Sequence, residues 1–199
     1  ITTIDHASTV SLYTALVLDS NGYPVISYLD TTTFALNLVH CSDATCSSSP
    51  VITTVDSSGL MGEFTALALD SSGKPVIAYT DFSNNWLKLA HCGDATCRSG
   101  NVIQVIDHAG GVGQLSTLAL DGNGKPVLSY RDVNGSDFKV VRCGDVNCSS
   151  GNVIQVVDSS GLVDNYPALA LDSSDKPVIS YFDNTNSELT LLHWGDATC

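Results

Sequence analysis

One interval governs the chain: chemically similar residues recur every 51 positions from Ile1 to Cys199. Asp19, Asp70, Asp121 and Asp172 keep it, as do Pro24, Pro75, Pro126 and Pro177, and Tyr28, Tyr79, Tyr130 and Tyr181. The last cysteine series, Cys46, Cys97, Cys148 and Cys199, keeps it too, and no insertion breaks the register. Such a period means one supersecondary unit stacked four times, each copy burying the apolar surface of its neighbour. The copies run approximately over 1–51, 52–102, 103–153 and 154–199, the last one 5 residues short, and are read as a single domain spanning 1–199.

Each copy contains four strand candidates; in the second they are Val51–Val55, Thr65–Leu69, Pro75–Tyr79 and Leu87–Cys92. Val, Ile, Leu, Thr and Tyr dominate them, in runs of the length common for strands. The separators are turn chemistry. In Asp70-Ser-Ser-Gly-Lys-Pro75 the Asp can bond its own backbone, Gly supplies positive φ, and Pro opens the next strand where its missing N–H does least harm. No segment shows a sustained 3.6-residue apolar period, so the expectation is all-β with little helix.

Four short strands in a repeat of this length resemble a blade of the β-propeller repeat proteins, and the resemblance covers the whole chain. It is to the architecture in general. No Trp-Asp dipeptide ends the third strand, and no Ser-x-Asp-x-Gly-x-Thr-Trp box is present. The resemblance implies a four-repeat β-propeller with four antiparallel strands per blade. Compact residues suit the crowded axis, so Thr65–Leu69 is read as innermost, with Thr14–Leu18, Thr117–Leu120 and Ala168–Leu171 as counterparts, and Val102–Ile106 as outermost in the second blade. On that order Ile1–Asp5 is an outermost strand that completes the last blade and closes the ring. A ring of eight from two chains and a piece of a longer array stay open as alternatives.

Composition bounds the function. Net charge is −13, from 21 acids against 8 Lys/Arg, which argues against binding nucleic-acid phosphates or anionic lipid. Apolar residues reach 43%, enough for a core, but no stretch approaches the ~18 residues of a membrane span. Ile1 opens directly on strand-like sequence with no signal peptide ahead of it, read as a mature or excised product.

Six of the seven cysteines fall as Cys41/Cys46, Cys92/Cys97 and Cys143/Cys148; the position that should partner Cys199 is Trp194. A disulfide across each short loop is expected, and with it an oxidising, extracellular setting. His40, His91 and His193 precede the first cysteine position, but Arg142 stands there in the third copy, which disfavours a metal reading. Cys199 and the closing strands offer a route to self-association. Asn134-Gly-Ser136 and Asn147-Cys-Ser149 are acceptor-type tripeptides for glycosylation.

The strand order puts two loop sets on one face: the blade-crossing loops and the turns between second and third strands. Each copy then carries two Asp on that face: Asp5/Asp30, Asp56/Asp81, Asp107/Asp132 and Asp158/Asp183. Asp at a strand end commonly caps a turn. The functional alternative is that these carboxylates converge to bind sugar hydroxyls or a cation. Calcium needs 6 to 8 oxygens, and no Asp-x-Asp-x-Asp-Gly loop supplies them locally. Trp86 stands at the same face, where it could stack on a sugar or cover the core. The four equivalent tyrosines are read as packing between blades with the hydroxyl on a polar partner.

Catalysis needs unlike residues in different roles, and here the acids recur as near-copies. Glu63 and Glu188, the only Glu, hold unrelated repeat positions. The expected function is therefore a non-enzymatic, lectin-like extracellular binding propeller for a carbohydrate or surface protein, with no cofactor. The alternatives are a self-assembling adhesive block and a glycoside hydrolase.

Overall fold

The computed structural model describes residues 1–5, 10–109, 111–159 and 163–195. Fifteen strands form four antiparallel sheets, with no helix among the described residues. The first sheet holds β1 (Val10–Leu18), β2 (Pro24–Asp30), β3 (Ala35–His40) and β4 (Val51–Asp56). The second holds β5 (Met61–Leu69), β6 (Pro75–Asp81), β7 (Trp86–His91) and β8 (Val102–Asp107). The third holds β9 (Val112–Leu120), β10 (Pro126–Asp132), β11 (Asp137–Arg142) and β12 (Val153–Asp158). The fourth has β13 (Val163–Leu171), β14 (Pro177–Asp183) and β15 (Glu188–His193). Order within each sheet follows the chain, so every sheet is a meander. The strand order expected from the compact Thr-Ala-Leu run is the observed one.

The hairpins form for the reasons their residues suggest. Asp70 Oδ1 accepts the backbone N–H of Ser72 and of Lys74 at 2.8 and 2.9 Å, and Gly73 sits at φ +76°. Asp19, Asp121 and Asp172 do the same in their copies. The first strand of the second sheet is longer than expected, starting at Met61, and its pairing with β6 shifts register around Glu63. That irregularity begins at Gly62, at φ +98°, where an added Cβ would stand 3.1 Å from Leu36 Cα. Gly113 makes the same close approach to Leu87.

Successive sheets pack face to face. The β5 strand lies on β1, β2 and β3, β9 on β5, β6 and β7, and β13 on β9, β10 and β11. Alternate residues of each middle strand point to opposite interfaces, so both faces of the strand are apolar. Thus Val76 and Ala78 join Leu128 and Tyr130 in one core, while Ile77 and Tyr79 join Leu36 and Leu38 in another. All three expected disulfides are present, Cys41–Cys46, Cys92–Cys97 and Cys143–Cys148. Trp194, at the position of the missing cysteine, packs beside Ile179 and Tyr181, taking the place that Cys92 and Cys143 hold in their own clusters.

One expectation is corrected. Ile1–Asp5 forms no strand, and the fourth sheet has three strands, so the ring-closing pairing is not made. The segment is held instead by the first sheet, with Ile4 packed on the cluster of Tyr28 and Val39 and Asp5 accepting the Tyr28 hydroxyl at 2.5 Å. Cys199, the other expected means of self-association, lies outside the described residues.

Candidate functional site

The crossing loops and the second-to-third-strand turns do share one face. Met61 N–H donates to Phe34 O at 3.0 Å and Phe82 N–H to Leu60 O at 2.8 Å, tying the first crossing loop between two turns, and Val112 N–H to Asn85 O with Val133 N–H to Gly111 O does the same for the second. The two acidic series therefore lie together, but each carboxylate already has protein donors. Asp56 accepts the Tyr79 hydroxyl at 2.6 Å, Asp107 that of Tyr130 at 2.8 Å and Asp158 that of Tyr181 at 2.7 Å; Asp5 with Tyr28 is the same bond in the first copy. Burial pushes all four phenol groups up, and the adjacent carboxylates add to it. These tyrosines remain neutral donors.

The other series caps turns. Asp30 accepts Thr32 N–H at 2.8 Å and the Thr33 hydroxyl at 2.8 Å, and Asp81 accepts the Asn84 side-chain amide at 2.9 Å. Asp183 does likewise with Thr185 and Asn186, and Asp132 with Asn134 and Gly135. Burial of Asp30 opposes its charge, but these donors outweigh it and hold the carboxyl below the usual range. Asp56 is lowered in the same way, its burial offset by the Lys88 ammonium and the Tyr79 hydroxyl. Lys88 is buried on Asp56, and Lys139 bridges Asp132 at 2.6 Å and Asp107 at 3.5 Å. Among the described residues no group of three or more His, Cys, Asp or Glu is placed to hold a metal ion.

Trp86 opens β7, half-buried, and its ring meets His108 edge-on with centroids 6.5 Å apart. On the opposite face His40, His91 and His193 each meet the second oxygen of the hairpin Asp at 3.1–3.2 Å. Arg142 takes the same place against Asp121 at 3.8 Å. A basic residue pairing with the hairpin acid accounts for this series. The signal was a fixed 21-residue separation between the two partners.

Sequence reasoning overlooked the groove where the four first strands meet. It has a volume of about 470 Å³ and is lined at one repeat position by Tyr13, Phe64 and Leu115, and at the next by Thr14, Thr65, Ser116 and Pro167. The bulge that follows Gly62 and Gly113 sets Phe64 at φ +50° and Leu115 at φ +53°. Bulky residues rarely adopt that conformation, which costs about 1–3 kcal/mol and turns the side chain from its normal strand direction. Tyr13 and Phe64 lie with ring centroids 4.5 Å apart. Thr65 bonds Ser27 at 2.7 Å and Ser116 donates to Phe64 O at 2.8 Å, which steadies these hydroxyls at the groove wall. The available signal was an aromatic or large apolar residue just ahead of the compact run in every copy: Tyr13, Phe64, Leu115 and Tyr166.

Set beside known proteins, this four-sheet repeat array matches no family model. No curated protein matches it either.

Proposed function

We propose that the chain is a non-enzymatic binding module of the β-propeller kind, working outside the cell and holding a carbohydrate in its axial groove. The observation that carries this reading is the groove: the Tyr13 and Phe64 rings and the hydroxyls of Thr14, Thr65, Ser116 and Thr117, with Leu115 and Pro167 beside them and no charged side chain in the lining. Sugars present apolar C–H faces and hydroxyl edges, which suit rings and hydroxyls held on a rigid scaffold. Four meander sheets packed in sequence around that groove support the propeller architecture. Three disulfides support an oxidising compartment.

The acidic face supports binding over hydrolysis. Its carboxylates accept bonds from turns and tyrosines in a similar way in each copy, which favours a shared structural role over paired acid and base roles.

A glycan array probed with the native chain, followed by calorimetric titration of any hit, tests the reading. Binding that weakens at least tenfold in Tyr13→Ala and Phe64→Ala is expected. Silence across the array, or binding unchanged in both variants, overturns it.

A further inference from the structure

The two outer faces of the array have the composition of an interface but are uncovered. Leu36 and Leu38, Leu87 and Leu89, and Phe138 and Val140 occupy equivalent positions on the third strands, and each is at most 3% exposed beneath the next sheet. Their counterparts in the fourth sheet, Leu189 and Leu191, are 81% and 69% exposed. At the other end of the array Leu16 and Leu18 are each 59% exposed, whereas Leu67, the counterpart of Leu16, is 8% exposed and Leu69, the counterpart of Leu18, is partly buried, both packed on the first sheet. Contiguous apolar faces of this kind mark contact surfaces.

What fits each face is known from the three internal junctions. A β15-side face is covered by the β1-side face of the following sheet, in every case where a following sheet is present. Among the described residues the outer edge of β15 has no partner strand, where β3, β7 and β11 each pair with a fourth strand. Ile1–Asp5 has the repeat positions of Ile52–Asp56, at the end of such a fourth strand, and its Asp5 is already held by Tyr28 as Asp56 is by Tyr79. The first sheet with its leading segment is therefore shaped to cover a fourth sheet, yet within one chain Leu16 and Leu18 stay exposed on one face and Leu189 and Leu191 on the other.

We propose that the occupant is a second copy of this chain, docked head to tail. The first sheet of one copy covers Leu189 and Leu191 of the other, and residues 1–5 add a fourth strand along β15. Because both copies carry both faces, two such junctions close the pair. The junction borders the groove, because neighbouring first strands pack on each other at each internal junction, but its test reads mass and needs no groove ligand.

Native mass spectrometry and light scattering of the full chain carrying Cys199→Ser, so that no intermolecular disulfide contributes and the three internal ones stay closed, test it. The expected mass is twice that of the 20.9 kDa chain. A species of one chain mass at tens of micromolar, or a ladder beyond two, overturns the proposal. Two variants separate junction loss from misfolding: L16R/L18R blocks one face and L189K/L191K the other, at positions already exposed in a single copy. Each alone should run at one chain mass with an unchanged β circular-dichroism spectrum. Mixed, they should recover the two-chain mass through their one intact junction. Failure of the mixture to pair, with both variants folded, also overturns it.

Discussion

The Tyr79 hydroxyl donates to Asp56 at 2.6 Å, joining the middle of the second sheet to the end of the first sheet's last strand. The same carboxylate also takes the Lys88 ammonium and the Ser58 backbone and side chain, so one buried acid organises the crossing between sheets. Tyr79→Phe removes one donor of several and should cost about 1–2 kcal/mol. Asp56→Ala strands a buried ammonium and a buried phenol together, and should cost about 3–5 kcal/mol. Urea denaturation of the two variants checks the order, and equal losses would reject the shared-acid account.

Gly62 carries two constraints at once, positive φ and a close approach to Leu36. Gly73 has positive φ with open space around it. Replacing each by Ala separates the terms: Gly73→Ala should cost about 1 kcal/mol, and Gly62→Ala noticeably more because the obstacle is backbone. Thermal denaturation of both, compared with the parent, reads the difference.

Acid should weaken the fold through the hairpin aspartates. Backbone N–H groups and His193 hold Asp172 at about 2, against an ordinary 3.8. Asp70 is also lowered, its burial outweighed by Lys74 N–H and His91. A carboxyl depressed in the folded state contributes stability that is complete above its unfolded value and is lost as pH falls through the folded one. Denaturation midpoints should therefore decline between about pH 4 and 2. Asp172→Asn should flatten part of that decline, and a profile identical to the parent would contradict the assignment.

Each disulfide closes a loop of six residues, Cys92 to Cys97 in the second copy. Replacing both cysteines by Ser should lower stability by about 2 kcal/mol on the loop-entropy estimate. The fourth copy packs Trp194 at that position and should be unaffected by reductant; limited proteolysis with and without reductant localises the change to the first three copies.

Much of this organisation is legible in the residues. The Asp-x-x-Gly turns, the strand order and the three short disulfide loops depend on interactions a few positions apart, and local chemistry specifies them. The aspartates on the crossing face were recognisable as turn caps for the same reason, as Asp30 and Asp81 show. That Asp56 would serve Tyr79 and Lys88 was not legible, because those partners lie 23 and 32 residues away and meet only when two sheets stack. The groove escaped notice because its key residues precede the regular strand. Phe64 and Leu115 enter the axis only through a bulge in the backbone, which no alternation pattern announces.

The sequence by itself determined a fourfold all-β repeat, its meander strands, its disulfides and the turns that connect them, since these follow from periodicity and short-range bonding. Only the tertiary structure decided that Tyr13, Phe64 and Leu115 line a groove where the first strands meet, and that residues 1–5 stay on the first sheet and leave the fourth a strand short. The physical reason is that a repeat specifies how each copy meets its neighbour. The angle summed over three junctions decides whether the last face reaches the first, and in this chain both faces remain open.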